Sequence, residues 1–322
     1  MLRMDYMENR RFRKYIIYFL IVSCMLIFWK VITMDNVNDP RVIEIKDKIR
    51  EYQYKLHLSP SQVKLLEMLE KGQNIDDIPT IYAITPTYYR YLQKAELTRI
   101  SQMLMLVPNI HWIVIEDADE KSDLVTNLIA DSGLKATHLA AKTPSLEKLK
   151  AKDPRWKRHR GVEQRNKGLN WLRNNLKNGR DKGFVYFMDD DNTYSIKIFS
   201  EIMKIKRVGV WPVGLVAGLT VETPILNPET GKVKGYRSGW KPNRPFAIDM
   251  AGFAINLDLI LQKPEASFSY KMEKGYQETE FLSFFTTKEG LEPLANNCSK
   301  IYVWHTRTEK PVVRGEVKGF EV

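Results

Sequence analysis

Three consecutive aspartates, Asp189, Asp190 and Asp191, follow the apolar run at residues 184–188. Because that run is apolar at both odd and even positions, it is typical of a strand buried on both faces, with the carboxylates at its carboxyl end. Adjacent carboxylates repel one another, so we expect a cation beside them. Their hard oxygen ligands suit Mn²⁺ or Mg²⁺ and do not suit structural zinc. The alternative is a solvated turn, in which Asp and Asn are common.

Basic residues with matching chemistry lie on either side of these aspartates in the sequence. Arg160 and Arg165 flank the start of a predicted helix in the stretch 156–173, where they can reach phosphate or carboxylate through paired hydrogen bonds. A solvated basic helix face is the alternative. His305 and Arg307 follow a short apolar run and share a side if the chain is extended. A single His is more often structural, but this pair indicates a clamp for an anionic sugar nucleotide.

The elements that must position these residues alternate along the chain. The pattern of strand, helix, strand and helix is seen in TIYAITPTY, KAELTRISQMLMLV, HWIVIEDAD and SDLVTNLIADSG. This order predicts an α/β fold with a parallel sheet of βαβ units, which bind ligands beyond the carboxyl ends of the strands. Those ends place Pro86, Thr87 and Tyr88, then Glu116 and Asp117, at the same crevice as the three aspartates.

Composition narrows the class of protein without choosing a ligand. The chain has 322 residues, 43% hydrophobic and 28% charged, which is ordinary for a globular protein and excludes a largely disordered one. Its formal net charge of +11 suits nucleic acid, a membrane surface or an anionic small molecule equally well.

Residues 15–34 predict a single membrane anchor. They hold one charge, Lys30, and follow a basic cluster at 10–14. Basic residues keep the preceding tail, 1–14, in the cytosol, so the rest of the chain is expected in the lumen, where it meets no nucleic acid. No small-residue cleavage pattern follows, which favours a retained signal-anchor over a removed signal peptide. A buried helix of a soluble protein is the alternative.

Cysteine and sequon usage fit a lumenal domain. The two cysteines are Cys24, inside the predicted anchor, and Cys298, so no intramolecular disulfide is expected in the lumenal part. Asn297 begins an Asn-Cys-Ser sequon and is a candidate glycosylation site, although three-residue patterns often arise by chance. Residues 35–78 are polar and charge-rich, and we interpret them as a stem.

Longer segments of the chain resemble a known family. In order, they are TPTYYR, RGVEQRNKGLNWLR, VYFMDDDNTYS, RPFAIDMAGFA, GYQE and VWHTRTEKP, and together they resemble the β-1,3-glucuronyltransferases over about residues 80–311. The resemblance implies a GT-A-type glycosyltransferase that is anchored in the Golgi membrane as a type II protein and forms a homodimer. It also implies a Rossmann-like UDP-sugar-binding subdomain at 79–191, and an acceptor-binding subdomain with the carboxyl-terminal tail at 192–322.

The resemblance assigns one set of residues to the donor, UDP-glucuronate. This set is Pro86, Tyr88, Asp117, Arg160, Arg165, Asp189, Asp190, His305 and Arg307. Pro86 and Tyr88 are expected against the uracil ring, and Asp117 at its edge. The two arginines contact the nucleotide and the donor, Asp190 meets the ribose, and the His-Arg pair contacts the diphosphate and sugar. Asp191 is expected to hold Mn²⁺ bound to the diphosphate.

The resemblance assigns a second set to a galactose-terminated glycan acceptor. Glu222, Trp240, Arg244 and Asp249 are expected to bind it, and Glu278 is expected to act as the general base. The implied reaction is inverting transfer of glucuronate to the 3-hydroxyl of a terminal galactose.

The sequence departs from the family pattern at three places. Tyr91 stands where Pro is usual, Met188 where a small residue is usual, and Thr220-Val221 where Arg and an aromatic residue are usual. The last departure is expected to loosen placement of the acceptor. None of the three involves the predicted metal ligand, base or nucleotide residues.

The identity of the acceptor is the most divided prediction. Trp240 and Val162-Glu163 favour galactosyl-galactose in the proteoglycan linker, whereas FAIDMAGFAINL and GYQE also resemble members that act on N-acetyllactosamine of glycoproteins or glycolipids. Two other classes are a catalytically silent membrane-tethered lectin and a metal-dependent nucleotidyltransferase. The presence of both Glu278 and Asp191 disfavours the lectin, and a nucleotidyltransferase would need neither Glu278 nor Trp240.

Overall fold

The computed structural model describes residues 78–150, 153–154, 157–309 and 311. The predicted tail at 1–14, the anchor at 15–34 and nearly all of the stem lie outside these residues, as does the chain beyond 311. Among the helices described, none is long and apolar enough to cross a membrane. The predictions for the amino-terminal segments therefore stay predictions.

Within the described residues the strands form two sheets. In chain order they are β1 (Thr80–Thr87), β2 (Ile110–Glu116), β3 (Ala136–Ala140), β4 (Gly183–Phe187), β5 (Thr193–Tyr194), β6 (Val208–Val210), β7 (Val213–Gly214), β8 (Val221–Leu226), β9 (Val233–Arg237), β10 (Phe253–Asn256), β11 (Glu292–Pro293) and β12 (Val303–Trp304). The larger sheet has the order β11-β6-β10-β4-β1-β2-β3, and the smaller has the order β5-β12-β7-β8-β9.

The larger sheet is mixed. Strands β4, β1, β2 and β3 run parallel, which confirms the predicted α/β class and its parallel sheet. Strand β10 is antiparallel to both β4 and β6. In the register of the parallel strands Ile84 pairs with both Ile113 on β2 and Phe187 on β4. The carboxyl ends of β1, β2 and β4 therefore lie at one edge, where ligands bind in sheets of this kind.

Helices pack on both faces of this sheet. They are α1 (Gln93–Leu104), α2 (Asp123–Ser132), α3 (Val162–Asn175), α4 (Lys197–Ile202), α5 (Leu257–Gln262) and α6 (Gln277–Ser283), with 3-10 turns at Ser145–Glu147, Met250–Gly252 and Lys288–Gly290. The start of α2 illustrates the local chemistry, because the Ser122 hydroxyl accepts a hydrogen bond from the Val125 N–H at 3.3 Å.

Strand β4 lies at the centre of the core and is buried along its whole length. Phe187 packs with Leu169 of α3 on one face of the sheet. On the other face Tyr186 packs with Leu97 of α1. The prediction of a strand buried on both faces is confirmed, and close packing of this kind holds the residues that follow β4 rigidly in place.

Candidate active site

The aspartate cluster, Asp189, Asp190 and Asp191, follows β4 at the carboxyl edge of the sheet, and arginines of the protein supply cations beside it. Arg165 pairs with Asp189. The Arg90 Nη2 lies 2.8 Å from the Asp190 Oδ1. These ion pairs neutralise part of the repulsion among the carboxylates, and the predicted metal ion at Asp191 stays a prediction.

Asp190 is the most enclosed member of the cluster, at 5% exposure. Its Oδ2 accepts a hydrogen bond from the Thr87 hydroxyl at 2.6 Å, and the Gln93 side chain donates to that hydroxyl at 3.2 Å. Burial raises the pKa of Asp190 to about 6, although Arg90 and Thr87 act in the opposite direction. Each oxygen of this carboxylate therefore has a partner within the protein already.

Asp191 differs from its two neighbours in how it is held. Neighbouring residues bind its backbone carbonyl, whereas arginines bind the carboxylates of Asp189 and Asp190. Its carbonyl oxygen accepts hydrogen bonds from Arg99 at 3.1 Å and from the Thr306 hydroxyl at 2.8 Å. Burial raises the pKa of the Asp191 side chain, and the nearby charge of Asp189 adds to this effect, while His305 opposes it. The ionised carboxylate thus sits where a further cation would stabilise it.

The residues after β1 and β2 lie at the same edge, as predicted. Tyr88 is 49% exposed, so the part of its ring that Arg90 does not cover is open to a planar ligand. The Asp117 Oδ1 accepts a hydrogen bond from the Thr143 N–H at 2.7 Å. The preceding Glu116 is buried and accepts hydrogen bonds from both the N–H and the hydroxyl of Ser122, at 2.9 and 2.8 Å. Glu116 therefore stabilises the loop, while Asp117 is available at the crevice.

Arg160 and Arg165 flank the start of α3, as predicted. Arg165 is buried and donates to the Arg160 carbonyl at 2.9 Å, while Arg160 itself is exposed. The alternative of a solvated basic face does not fit Arg165. Gly161, with a φ of 70°, precedes α3, and a β-carbon there would overlap the Arg165 guanidinium and approach Pro86. Glycine at this position permits the close approach of the three residues.

The segment after β12 reaches the aspartate cluster from the smaller sheet. The His305 Nδ1 lies 3.0 Å from the Asp249 Oδ2, and the Asp249 side chain also accepts from the Ala251 N–H at 3.0 Å. The hydrogen bond with Asp249 raises the pKa of His305. Burial raises the pKa of Asp249, but the contacts with His305 outweigh it and leave that pKa below the ordinary value. Arg307 is exposed in the same segment.

A second group of carboxylates, which we call the Glu278 cluster, has three members. They are Glu222 on β8, Asp249 just before the 3-10 turn Met250–Gly252, and Glu278 on α6. Arg244 lies among them, with Nη1 3.7 Å from the Glu278 Oε2. Burial raises the pKa of Glu222 to about 7 and that of Glu278 to about 7, against the opposing effect of Arg244. A carboxyl group with such a pKa is suited to exchange a proton near neutral pH.

Accessibility separates the two glutamates. The Glu278 side chain is 17% exposed, so it can meet a ligand directly. Glu222 is buried and accepts a hydrogen bond from Ser238, and its Oε1 has no hydrogen-bond partner among the described residues. An unpaired buried oxygen of this kind is costly, and a ligand hydroxyl would satisfy it.

Trp240 lies beside this cluster and is 41% exposed. Trp240 is therefore not a core residue. Its backbone N–H donates to the Ser238 hydroxyl at 3.3 Å, and Ser238 in turn donates to Glu222. The indole is held next to the carboxylates with one surface open.

Comparison with known proteins places the chain in a family. The sequence model of glycosyltransferase family 43 matches residues 100–309. The chain belongs to glycosyltransferase family 43. The resemblance seen in its motifs is thus confirmed.

Three similar relatives of this family 43 chain carry the name galactosylgalactosylxylosylprotein 3-beta-glucuronosyltransferase. Enzyme I of Drosophila melanogaster is 54% identical over 245 residues, which cover 75% of this chain and 80% of that protein. Sqv-8 of Caenorhabditis elegans is 51% identical over 239 residues, covering 74% and 67% of the two chains. Enzyme 1 of Rattus norvegicus is 52% identical over 250 residues, covering 76% and 74%.

One residue of this candidate site was not identified from the sequence. Arg90 pairs with Asp190 and also with Glu96 on α1, donates to the Tyr88 carbonyl at 3.1 Å, and lies 4.5 Å from the Tyr88 ring centroid. It joins the end of β1 to the aspartate cluster. The sequence shows only an arginine shortly after the end of a predicted strand. That position predicts a contact with the aspartates only when β1 is known to lie beside β4.

The remaining predicted positions lie apart from this crevice or carry no chemistry of their own. Asn297 is exposed in a short turn, Ala295–Cys298, in which all four residues have positive φ, so the sequon is accessible and its glycosylation stays a prediction. Burial raises the pKa of Cys298 to about 12, so this thiol is not a nucleophile. Met188 is fully buried, while Tyr91 is half exposed.

Proposed function

We propose that this protein is an inverting glucuronosyltransferase, which moves glucuronate from UDP-glucuronate to the 3-hydroxyl of a terminal galactose in the proteoglycan linker. The family and the names of its relatives support this reaction. The observation that carries it is Glu278, an accessible carboxyl group with a pKa of about 7 beside Arg244, in a cluster that is joined to the aspartate cluster through Asp249 and His305.

On the donor side, the uracil, the ribose and the diphosphate of UDP each contact a different set of side chains. Uracil covers the open ring of Tyr88 against Pro86, and Asp117 accepts from its edge. The ribose hydroxyls meet Asp190, whose oxygens each retain a free lone pair after bonding to Arg90 and Thr87. Of the basic residues, Arg160, Arg165, His305 and Arg307 face the diphosphate and the glucuronate carboxylate, and Asp189 holds Arg165 in position.

The metal in this proposal is Mn²⁺, held by Asp191. Burial and Asp189 both disfavour the ionised form of Asp191, and a divalent cation relieves that cost. Within the described residues no group of three or more His, Cys, Asp and Glu side chains could hold a metal ion, so Asp191 would be the residue of this cluster that holds it. When bound, the ion neutralises charge that develops on the leaving diphosphate.

On the acceptor side, Glu278 accepts the proton of the galactose 3-hydroxyl as its oxygen bonds to the anomeric carbon of glucuronate. The bond from that carbon to the diphosphate breaks, UDP leaves, and the α-linked donor gives a β-linked product without a covalent intermediate. The unpaired oxygen of Glu222 accepts a second acceptor hydroxyl, and Asp249 and Arg244 orient the sugar. The open face of Trp240 lies against a pyranose ring.

The setting of the reaction is part of the proposal. We expect a GT-A-type domain in the Golgi lumen, divided at 191 into donor and acceptor subdomains, on a single type II anchor at 15–34 and in a homodimer. The alternative acceptor is N-acetyllactosamine, and the alternative class is a silent lectin. Incubation of the full chain, purified in detergent, with UDP-glucuronate and Mn²⁺ tests all three. Transfer to Galβ1-3Gal in preference to Galβ1-4GlcNAc supports the linker, and sugar binding without transfer supports the lectin.

A further inference from the structure

Two segments of the chain, one holding Trp240 and Arg244 and the other holding Glu278, contact each other at Gly275. The first, 238–244, contains Trp240 and Arg244, and the second, 273–278, ends at Glu278. Gly275 has a φ of 81°, and a β-carbon there would overlap the indole nitrogen of Trp240. The Arg244 guanidinium donates to the Gly275 carbonyl. One backbone position thus contacts both the exposed aromatic ring and the arginine beside the general base.

Further contacts lock the same two segments together. Lys241 forms an ion pair with Glu273 and lies 5.1 Å from the centroid of the Tyr276 ring. Tyr276 is the residue before α6, whose second residue is Glu278. Any shift of the segment that holds Trp240 is therefore passed to the start of the helix that holds the base.

We propose that Gly275 is a positioning residue that sets acceptor recognition. Because it has no side chain, the edge of Trp240 lies directly against the backbone, and the open face of the indole takes one position relative to Glu278. This inference rests on the proposed function, since it assumes that a sugar occupies the space between Trp240 and Glu278. A β-carbon at 275 must push the indole toward that space or displace the loop, and either change misplaces the sugar.

A pair of glycine variants separates the effect of space from the effect of backbone conformation. Gly179 is a matched control, because it has a φ of 74° but a β-carbon added there would meet no atom within 4 Å, and it precedes β4 at the opposite end of the sheet from the crevice. Gly275→Ala and Gly179→Ala therefore share the cost of a left-handed alanine, whereas only the first meets an indole.

The experiment measures binding of Galβ1-3Gal to the full chain by calorimetry in the presence of UDP, together with the KM for each substrate. We expect Gly275→Ala to weaken disaccharide binding about tenfold, the scale of a lost aromatic contact, and to leave UDP binding unchanged. Gly179→Ala should change neither. When Trp240→Ala is already present, the addition of Gly275→Ala should cause no further loss of disaccharide binding, because the two changes act through one contact.

The possible outcomes distinguish this inference from the proposed function. Equal effects of the two glycine variants on disaccharide binding would overturn the inference, as would an undiminished effect of Gly275→Ala in the Trp240→Ala background. A wild-type chain that binds no galactoside would overturn it too. If the wild-type chain binds the disaccharide but transfers no glucuronate, the proposed function fails, while the Gly275 inference is still decided by the binding measurements.

Discussion

The aspartate cluster and the Glu278 cluster both concentrate carboxylates, but they are neutralised differently. In the aspartate cluster, Asp189 and Asp190 form direct ion pairs with two different arginines, Arg165 and Arg90. In the Glu278 cluster, Arg244 is shared by Glu222 and Glu278, and burial raises the pKa of each to about 7.

The difference indicates a division of labour. A carboxylate that pairs directly with an arginine is held in a fixed position, which suits binding of a nucleotide and a metal ion. A carboxyl group that lacks full compensation has a pKa close to neutral pH, so it can both take up and release a proton there, which suits proton transfer. Single substitutions in each cluster can test this contrast between carboxylates held in position and carboxyl groups that exchange a proton.

The largest expected effect is at the base. Glu278→Gln keeps the shape of the side chain but cannot accept a proton, so we expect transfer to fall about 10³-fold while UDP binding is retained. Glu280, two residues later on α6, is exposed, and Glu280→Gln should leave the rate nearly unchanged. Initial rates and UDP titrations of both variants provide the measurement, and similar behaviour of the two would show that the base is wrongly assigned.

The next effect is at the metal. Asp191→Asn is nearly isosteric and removes the charge that we propose holds Mn²⁺, so we expect the rate to fall at least about 10²-fold. Asp119→Asn, at a side chain with 72% exposure, is the control and should have no effect. Rates are measured with added Mn²⁺ and after treatment with a chelator. Full activity of chelated wild-type protein would exclude the metal from the reaction.

Trp240→Phe tests which acceptor the Glu278 cluster serves. A phenyl ring offers a smaller face to a pyranose than an indole, so we expect the preference for Galβ1-3Gal over Galβ1-4GlcNAc to narrow by roughly 1 to 2 kcal/mol. The measurement is the ratio of kcat/KM for the two disaccharides, with the KM for UDP-glucuronate as the control. Equal rates on both with wild-type protein would defeat the linker assignment and leave glucuronyl transfer intact.

Local patterns in the sequence predicted the structure around the aspartate cluster well. A strand apolar at every position followed by three aspartates defines both a buried β4 and its charged end, and α3 begins between Arg160 and Arg165 as the pattern indicated. These features depend on residues close in sequence, where periodicity and helix geometry act directly.

Contacts between distant residues were not predictable in the same way. The pair of Arg90 and Asp190 depends on β1 lying beside β4 in one register. The pair of Asp249 and His305 joins two loops, and the raised pKa of Glu278 depends on how those loops exclude water. Neither composition nor periodicity specifies such distances. The antiparallel insertion of β10 between β4 and β6 was missed for the same reason.

A substitution of Arg90 has a smaller expected effect and tests how Asp190 is held on the donor side. Arg90→Lys keeps the charge but loses the planar group that reaches Asp190 and Glu96 together, so we expect UDP to bind about 3- to 10-fold more weakly with little change in kcat. Arg158→Lys, at an exposed ion pair with Glu147, is the control. A fall in kcat with unchanged UDP affinity would place Arg90 in the chemical step. It would contradict the idea that Arg90 acts only by holding Asp190 in position.

The smallest expected effect concerns stability at the acceptor side. The pKa of Glu222 is raised from 4.5 to about 7, so the folded state binds this proton more tightly than the unfolded chain does. The resulting stabilisation is complete below the unfolded pKa and is lost as the pH rises through the folded pKa.

Glu222→Gln cannot ionise, and its amide oxygen can still accept a hydrogen bond from Ser238. We therefore expect its Tm to match wild type at about pH 4, below the unfolded pKa, and to exceed it by about 2–4 °C at about pH 8. Calorimetry at both pH values, with Glu280→Gln as an exposed control, measures this. A Tm difference independent of pH would mean that Glu222 is ionised in the folded protein, and the exchangeable proton of this cluster would then belong to Glu278 alone.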